Sequence, residues 1–541
     1  MHNPGSRTRA GNDCMIRNAE KRLAGLLNTH QRGLLRGSLK GLEKESLRVD
    51  RDGHIAQTPH PAALGSSLTH PWITTDYSEA LLEFVTPPVQ EISGVLTFLE
   101  DVHTFTYQNI GDELLWATSM PCIVGGDASI PIAWYGESNV GWMKHVYRRG
   151  LDWRYGRAMQ AISGIHFNYS FSDEFWAVLQ EQEGDRRDRQ TFVSDAYFRL
   201  IRNFQRYGWL VPFLFGASPA VCKSFTGGTN VDFQEFDAYT FYEPFGTSLR
   251  MSDIGYKNNA QAALSISFND LDSYVGSLER AIFTEDEEWA RIGTRVDGEW
   301  RQLNTNTLQI ENEYYSFVRP KAVARSGERP SRALHRAGVE YIEIRALDLD
   351  PFAPVGVVDS QLHFLEALLV YCLLEDSPPI SAREQCSINH NQGQVARYGR
   401  DPELVLDNGG RQVHLRDWAA EICSDLECIA ELLDQTRDDT PYGDAVRLYR
   451  ESVRDTERTP SARILASMRA GNENFIEFAM RQSRRHEQAF KNHPLSQAVR
   501  HRFEEAGRAS LAEQTAIERA ETISFDEYLA RYFDQSDVAA S

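Results

Sequence analysis

The sequence predicts an α+β fold in which a mostly antiparallel sheet forms the first part of the chain and helices form the rest. Residues 37–354 are rich in Gly, Tyr and Thr and contain short runs that alternate apolar and polar residues, which is the period of a strand. Residues 359–532 instead show helical periodicity, most clearly over 361–374 and 415–433. The proline-containing segment 350–354 separates the strand-like part of the sequence from the helical part, because proline disfavours helix at the residue before it.

Five segments are predicted as strands, in chain order. The first, 41–49, is followed by the turn sequence DRDG and by 54–57, which together predict a hairpin. Pro87 and Pro88 end the second predicted strand, which covers residues 80–86. The predicted strands are residues 41–49, 80–86, 163–170, 305–314 and 339–347.

We expect three parts along the chain. Residues 1–36 form a flexible leader and a first helix, with 1–13 as a disordered leader. Residues 37–358 form the sheet-containing domain that carries the chemistry. Residues 359–541 form a mainly helical C-terminal part packed on that core.

Composition limits the partners. The chain has 541 residues, and its 57 Lys and Arg against 77 Asp and Glu leave a net charge of −20. Nucleic acids and anionic membranes both need a basic face, so the expected partners are small molecules, with no nucleic acid and no membrane. No apolar run reaches membrane-spanning length, and the N-terminus has no secretory pattern. The seven cysteines lack metal-finger spacing and favour a reducing cytoplasm over a disulfide scaffold.

Acidic side chains recur on the predicted strands. Side chains alternate across a strand, so residues i and i+2 share a face. Glu83 stands inside the apolar run LLEFV. The polar groups placed on single strand faces are Glu43 with Glu45, His166 with Asn168, Gln309 with Glu311 and Glu313, and Glu343 with Arg345.

These carboxylates would repel one another if the faces met, and burial would penalise their charge. Divalent cations resolve such a conflict. Oxygen donors with one histidine and no cysteine favour Mg²⁺, or alternatively Mn²⁺, over structural zinc. The competing interpretation is that these are wet faces of half-buried strands. Glu83, within its apolar run, is the hardest residue to explain in that way.

A Mg²⁺ cluster with arginines suits phosphoryl transfer, because metals and guanidinium groups neutralise charge on the moving group. The sequence has neither a P-loop nor a GxGxxG motif. It also lacks a nucleophile elbow and an HExxH pair. ATP would therefore be held by a sheet of carboxylates and metal ions instead of a glycine loop.

Several motifs resemble the proteobacterial glutamate–cysteine ligases. They are GLEKESLRV (41–49), WITTDYSEALLEF (72–84), SGIHFN (163–168), FGASPA (215–220), TSLRMSDIGY (247–256), residues 308–313 with Arg319-Pro320-Lys321, and residues 340–347. The resemblance runs from about 37 to 354 and continues weakly to the C-terminus. It implies a curved, mostly antiparallel sheet wrapped by helices, similar to the catalytic core of glutamine synthetase.

The resemblance also implies a reaction. ATP would activate the γ-carboxylate of L-glutamate as γ-glutamyl phosphate, and the amine of L-cysteine would then displace phosphate to give γ-glutamylcysteine, the first step of glutathione biosynthesis. A cytoplasmic monomer is expected. The base that deprotonates the cysteine amine stays unassigned.

Site residues carry over position by position. The implied Mg²⁺ ligands are Glu43, Glu45, Asp76, Glu83, His166 and Glu343. Arg345 would stabilise the transferring phosphoryl group, and Arg250 would receive the amino-acid carboxylate through its bidentate fork. Positions that match the cysteine pocket are Tyr77, Leu151, Gln160, Tyr256 and Tyr315, while Tyr147 and Arg148 match a substrate-proximal loop.

Two alternatives remain open. One is a sibling ligase that uses ammonia or another amine; its amine pocket would be small and anionic instead of tyrosine-lined. The other is a non-catalytic nucleotide- or amino-acid-binding regulator on the same sheet. A regulator would have no reason to keep so many converging charges.

Overall fold

A seven-stranded antiparallel sheet lies at the centre of the chain. The computed structural model describes residues 22, 25, 26, 33–227, 231–255 and 264–534. The strands are β1 (Leu39–Val49), β2 (Ile73–Thr75), β3 (Leu81–Val85), β4 (Leu114–Leu115), β5 (Ile165–Ser170), β6 (Ala220–Cys222), β7 (Gln234–Glu235), β8 (Thr240–Tyr242), β9 (Arg295–Val296), β10 (Glu299–Trp300), β11 (Val318–Lys321), β12 (Tyr341–Leu347), β13 (Val405–Asn408) and β14 (Arg411–His414).

The strand order of the large sheet is β11-β12-β5-β1-β3-β2, and β4 pairs with the end of β1. The remaining strands form a three-stranded sheet, β6-β8-β7, and the hairpins β9–β10 and β13–β14. β1 is central because its eleven residues are long enough to pair with three other strands.

Four of the five predicted strands are confirmed as β1, β3, β5 and β12. After β1 the chain turns at Asp50–Gly53, but only one bridge, Val49 to Ile55, forms on its return. The predicted hairpin is therefore a single bridge in place of a second strand.

The predicted strand at 305–314 is wrong. Residues Glu311–Glu313 form a 3-10 turn and the segment before them is irregular. Side chains satisfy the backbone here: the amide of Gln309 donates to the Glu313 carboxylate at 2.7 Å, and the amide of Leu303 donates to the side-chain Oε1 of Gln309 at 3.0 Å. Such local side-chain bonds compete with a strand ladder.

Helices cover the apolar face of the sheet and dominate the second half. They are α1 (Ile92–Tyr107), α2 (Asn139–Tyr155), α3 (Asp173–Glu183), α4 (Arg189–Tyr207), α5 (Leu210–Phe215), α6 (Leu271–Phe283), α7 (Glu287–Ile292), α8 (Pro330–Ala337), α9 (Asp359–Leu374), α10 (Ala382–Tyr398), α11 (Leu415–Asp434), α12 (Pro441–Arg454), α13 (Pro460–Gly471), α14 (Phe475–Asn492), α15 (Gln497–Ala520) and α16 (Phe525–Phe533). The predicted helices at 361–374 and 415–433 are confirmed as α9 and α11.

Alternation along the strands divides the sheet into two faces. Leu42, Phe167 and Ile344 point into the main core with the helices, while their chain neighbours point to the opposite side. The same core includes Leu365 and Leu368 of α9, so it crosses the expected boundary near 358. The division into parts at 36 and 358 remains a prediction.

A buried ion pair joins α9 to the sheet. Lys40 of β1 lies 2.9 Å from Glu366 of α9, and both side chains are almost fully buried. Tyr169 and Tyr442 also donate to the Glu366 carboxylate, at 3.0 and 2.7 Å. This network satisfies the charge of Glu366, which lies in the buried, apolar part of α9.

The cysteines differ from expectation. Cys122 and Cys222 form a disulfide, with Cα atoms 5.4 Å apart although 100 residues separate them in the chain. Spacing along the chain gave no signal for this pair, because folding alone brings the two segments together. Cys372, Cys386 and Cys423 are thiols, and Cys14 lies outside the described residues, as does most of the predicted leader. Within the described ranges, none of the helices has both the length and the apolar character that crossing a membrane requires.

Candidate active site

A cavity of about 460 Å³ lies over the polar face of the sheet. That volume is within the range of small-molecule sites, roughly 300 to 1,000 Å³. Its floor consists of side chains from β1, β3, β5 and β12, and α2 runs along its wall. The cavity therefore lies where the sequence places its carboxylates.

Strand register determines which side chains meet. Glu43 lies directly opposite His166 in the β1–β5 pair, and Glu45 lies opposite Glu83 in the β1–β3 pair. Glu343 lies opposite Asn168, the next polar position of β5. Since opposed side chains on one face of an antiparallel pair are about 5 Å apart, the acidic groups of β1, β3 and β12 come together with His166 of β5.

Three of the six expected metal ligands form a tight group. Ligand atoms of Glu43, His166 and Glu343 all lie within 4.8 Å of one another. His166 Nδ1 is 3.0 Å from Glu43 Oε2 and 3.8 Å from Glu343 Oε1, while Nε2 is 3.8 Å from Glu45 Oε1. Asp76 and Glu83 line the same cavity.

At one side of this group, burial and like charges disfavour the ionised form of the carboxyl groups. Burial, and then the Asp76 charge, raise the pKa of Glu45 to about 8. Burial, followed by the charges of Glu43 and Asp76, holds the pKa of Glu83 well above its usual range. A bound cation would remove that penalty, so the donors fit a hard divalent ion.

The carboxylates at the other side have cationic neighbours. Burial acts to raise the pKa of Glu343, but the charges of Lys321 and Arg345 outweigh it and hold the pKa well below the usual value. Lys321 Nζ and Arg345 Nη1 lie 3.3 and 3.2 Å from the Glu343 oxygens. Burial, and then Arg345, lower the pKa of His166, which leaves a neutral ring with a lone pair for a metal.

Arg345 projects into the cavity beside the carboxylates. Its Nη1 is 3.4 Å from His166 Nδ1, and its guanidinium lies over the Tyr315 ring at 5.6 Å. Lys321 lines the same wall. Two cations therefore stand next to the group that could hold a metal, as a phosphoryl site requires.

Arg250 is placed differently. It is fully buried and is not among the residues that line the cavity. Its Nη2 donates to the Arg345 carbonyl oxygen at 3.0 Å, and its Nη1 is 3.5 Å from the Asp348 carboxylate. Its expected contact with a substrate carboxylate remains a prediction, and in this conformation the guanidinium lies behind the wall.

Helix α2 carries the side chains that were expected on a loop. Tyr147 and Arg148 lie in the middle of this helix, which Ser138 caps by accepting a hydrogen bond from the amide of Gly141. Arg148 Nε donates to the Asp76 carbonyl oxygen at 2.6 Å, and its Nη2 is 3.8 Å from the Asp76 carboxylate. Arg148 therefore orients Asp76.

The expected cysteine-pocket residues lie mostly together. Tyr77, Leu151, Gln160 and Tyr315 all line the cavity. Tyr256 lies outside the described residues.

Sequence reasoning missed other wall residues. Met143 and Lys144 could have been found, because they lie on the same helical face as Tyr147 and Leu151. Tyr528 and Tyr532 had no such signal, since nothing in the sequence shows where the C-terminal helix docks. The cavity wall thus also includes Met143, Lys144, Ile310, Lys321, Tyr528 and Tyr532.

Known proteins resemble this chain over nearly its whole length. The family model described as glutamate-cysteine ligase matches residues 23–395. A glutamate–cysteine ligase of Alcanivorax borkumensis is 49% identical over 523 residues, covering 96% of this chain and 100% of the relative. One of Azotobacter vinelandii is 51% identical over 515 residues, covering 95% and 97%.

A solved structure agrees with these relatives. The crystal structure of a glutamate–cysteine ligase from Francisella tularensis in complex with AMP superposes with a TM-score of 0.87 at 37% identity, covering 92% of this chain and 97% of that one. With the fold, the polar face of the sheet and these relatives in agreement, the chain belongs to the glutamate–cysteine ligase family.

Proposed function

We propose that this chain joins the γ-carboxylate of L-glutamate to the amine of L-cysteine at the expense of ATP, giving γ-glutamylcysteine, ADP and phosphate, the first step of glutathione biosynthesis. The observation that carries the proposal is the convergence of carboxylates from β1, β3 and β12 with His166 of β5 beside Arg345 in one cavity. Family membership supplies the substrate class.

The cation that fits this donor set is Mg²⁺, with Mn²⁺ as the alternative. Burial and neighbouring carboxylates raise the pKa values of Glu45 and Glu83 in spite of nearby arginines, so the charged forms of both groups would be stabilised by a bound cation. When bound, Mg²⁺ neutralises charge on the phosphoryl group that moves. The ligands that we assign are Glu43, Glu45, Asp76, Glu83, His166 and Glu343.

In the first step, an oxygen of the glutamate γ-carboxylate attacks the γ-phosphorus of ATP. The bond from that phosphorus to the β–γ bridging oxygen breaks, and ADP leaves with the electron pair. The Arg345 guanidinium and the Lys321 ammonium donate to the phosphoryl oxygens, where negative charge must be held. The product is γ-glutamyl phosphate.

In the second step, the cysteine nitrogen attacks the activated carbonyl carbon. The carbon–oxygen bond to phosphate breaks, phosphate leaves, and the nitrogen gives up a proton. No enzyme nucleophile takes part. Burial of the cavity wall by Leu151 and Met143 limits access of water to the acyl phosphate.

Cysteine, which supplies the amine, is assigned to the end of the cavity at Tyr77 and Leu151. Tyr77 and Leu151 are buried there, and Gln160 and Tyr315 line the same cavity. An apolar and aromatic wall suits a thiol side chain. An ammonia site would instead need a small anionic pocket, so cysteine is favoured over ammonia.

A phosphate-release assay with glutamate, ATP and Mg²⁺, with and without cysteine, tests the proposal. We expect cysteine-dependent release and a product with the mass of γ-glutamylcysteine. Phosphate release that is faster with ammonia than with cysteine would support the sibling ligase. An absence of turnover together with nucleotide binding would support a regulator.

Localisation and assembly belong to the same proposal. We assign the enzyme to the cytoplasm as a monomer. Light scattering of the purified chain tests the assembly state, and a dimer mass would contradict it.

A further inference from the structure

The last described helix reaches the active-site cavity. Tyr528 and Tyr532 of α16 line the cavity that also holds Glu43 and Glu343. They are one helical turn apart and so share a face. Nothing in the proposed chemistry of phosphoryl and amine transfer uses them.

α16 is held against the start of α2. Phe525 packs edge-on against Trp300 and Trp142, with ring centroids 5.2 and 6.3 Å apart. Leu529 is buried in a cluster with Met143 and Ile310. The position of the helix is therefore set by packing.

The segment that precedes α16 is tied to the same place. The amide of Asn139 donates to Glu521 at 2.7 Å, and its side-chain amide donates to the Ile523 carbonyl oxygen at 3.0 Å. The amide of Glu137 donates to Glu518 at 3.0 Å. These bonds anchor the C-terminal segment to the first turn of α2, next to the cavity.

The cavity has two apolar ends along α2. Leu151 belongs to a hydrophobic cluster with Tyr77, at the end assigned to cysteine. Met143 belongs to a separate cluster, with Tyr528 and Tyr532 packed against it. The two positions are about 12 Å apart along the helix, at about 1.5 Å per residue.

Charged side chains line the same cavity as these two apolar ends. Lys321 and Arg345 line its wall together with Glu43, His166 and Glu343. A nucleoside triphosphate needs cations and metal for its phosphates and an apolar, aromatic surface for its base. If the amino acids occupy one apolar end, the base has the other.

We propose that Tyr528 and Tyr532 form the wall on which the purine base of the nucleotide binds. The inference rests on the proposed function, because it assumes that ATP is the phosphoryl donor. The two phenol rings would stack or pack against the base, an interaction that tolerates loss of the hydroxyl groups but not of the rings. Helix α16 would then be a part of the substrate site.

Steady-state kinetics of Tyr528→Ala and Tyr532→Ala provide the first test. We expect KM for ATP to rise by about tenfold in at least one variant, as loss of a base–aromatic contact implies, with KM for glutamate and cysteine within about twofold of the parent. Tyr528→Phe and Tyr532→Phe should stay close to the parent. Arg531→Ala, on the exposed side of the same helix, is the matched control.

Binding without turnover provides the second test. Calorimetry with Mg²⁺ and either ADP or inorganic tripolyphosphate separates the base from the phosphates. We expect the alanine variants to bind ADP about tenfold more weakly and to bind tripolyphosphate with unchanged affinity. If the alanine variants are too unstable for either assay, Tyr532→Leu provides a substitute, because leucine keeps apolar bulk without a ring. We expect it to show the same loss of ADP affinity.

Three outcomes would overturn the base assignment: an unchanged KM for ATP in both alanine variants, an equal rise in KM for all three substrates, or a parallel loss of ADP and tripolyphosphate binding. A parent enzyme that binds ADP but forms no γ-glutamylcysteine would instead defeat the proposed function. The two failures are thus distinguishable.

Discussion

At the scale of single residues, the site is governed by charge. Glu45 and Glu83 face each other across β1 and β3. Burial raises the pKa values of both groups, and the neighbouring carboxylates raise them further. Glu343 has Lys321 and Arg345 within about 3.3 Å. The cavity therefore has one side that needs a cation and one side that already has two.

Replacing Glu343 with Gln removes a charge with little change in volume. We expect Glu343→Gln, and likewise Glu83→Gln, to lower kcat by roughly 100-fold and to raise the Mg²⁺ concentration for half-maximal activity, since a metal ligand is weakened. Activity across a Mg²⁺ titration measures both effects. Glu340→Gln, at an exposed neighbouring position, is the control. Full activity in both test variants would refute the metal assignment.

Arg345→Lys keeps the charge and loses the planar fork. We expect kcat to fall by about 10- to 100-fold, with smaller changes in KM, because the lost contacts are those to the moving phosphoryl group. Single-turnover formation of ADP is the appropriate measurement. Arg345→Lys with parent kcat would show that a point charge is sufficient at this position.

Gly164 has a packing role that its motif suggests without explaining. A Cβ there would lie 2.0 Å from Nη2 of Arg250, and the Gly164 amide donates to Glu45 at 2.5 Å. We expect Gly164→Ala to destabilise the fold by about 1 to 3 kcal/mol and to lower activity, as overpacking does. Denaturant unfolding checks the first effect.

Gly393 of α10 is the matched control, because a Cβ there meets nothing within 4 Å. Gly393→Ala should stabilise the helix by up to about 1 kcal/mol. Equal stability changes at the two glycines would argue against the Arg250 contact as the cause.

At the scale of elements, β1 connects the site to the core. Its polar face carries Glu43 and Glu45, while its Lys40 reaches Glu366 of α9. Alternation along a single strand thus joins the chemistry on one side to the helical layer on the other.

The strength of that connection can be measured. Lys40→Met leaves the Glu366 carboxylate buried without its cation, and we expect a loss of about 3 to 5 kcal/mol in the free energy of unfolding. The double variant Lys40→Met with Glu366→Leu should recover much of the loss, since no charge is then left unpaired. A double variant as unstable as Lys40→Met alone would show that packing, and not charge, causes the effect.

At the scale of the whole molecule, stability should depend on a carboxyl group at the end of α9. Burial, and then the charges of Asp425 and Asp376, raise the pKa of Glu375 to about 7. The folded protein therefore holds this proton more tightly than the unfolded chain, whose pKa is near 4.5. The free energy of unfolding falls as pH rises from about 4.5 to 7, and the penalty is complete above that.

Glu375→Gln removes this dependence. We expect the variant to gain on the order of 1 kcal/mol relative to the parent at pH 8 and little at pH 5, after allowance for solvent screening of a partly exposed group. Urea unfolding at both pH values measures the difference. Glu299→Gln, at an exposed carboxylate, should be neutral at both.

Local pattern was sufficient for most of the sheet. β1, β3, β5 and β12 alternate clearly, and their polar positions proved to be the floor of the cavity. The segment at 305–314 alternates as well, yet Glu311 and Glu313 pair with buried Arg329 and Arg154 instead. Alternation is necessary for a half-buried strand but does not exclude a loop whose side chains bind its own backbone.

The sequence by itself therefore determined the α+β class, the acidic strand faces and the family motifs, because these depend on residue order over short distances. Only the tertiary structure decided that α2 and α16 form part of the cavity wall, that Arg250 lies behind that wall, and that Cys122 meets Cys222. Those facts depend on how surfaces far apart in the chain pack together. No local period encodes that packing, which is set by the burial of the whole core.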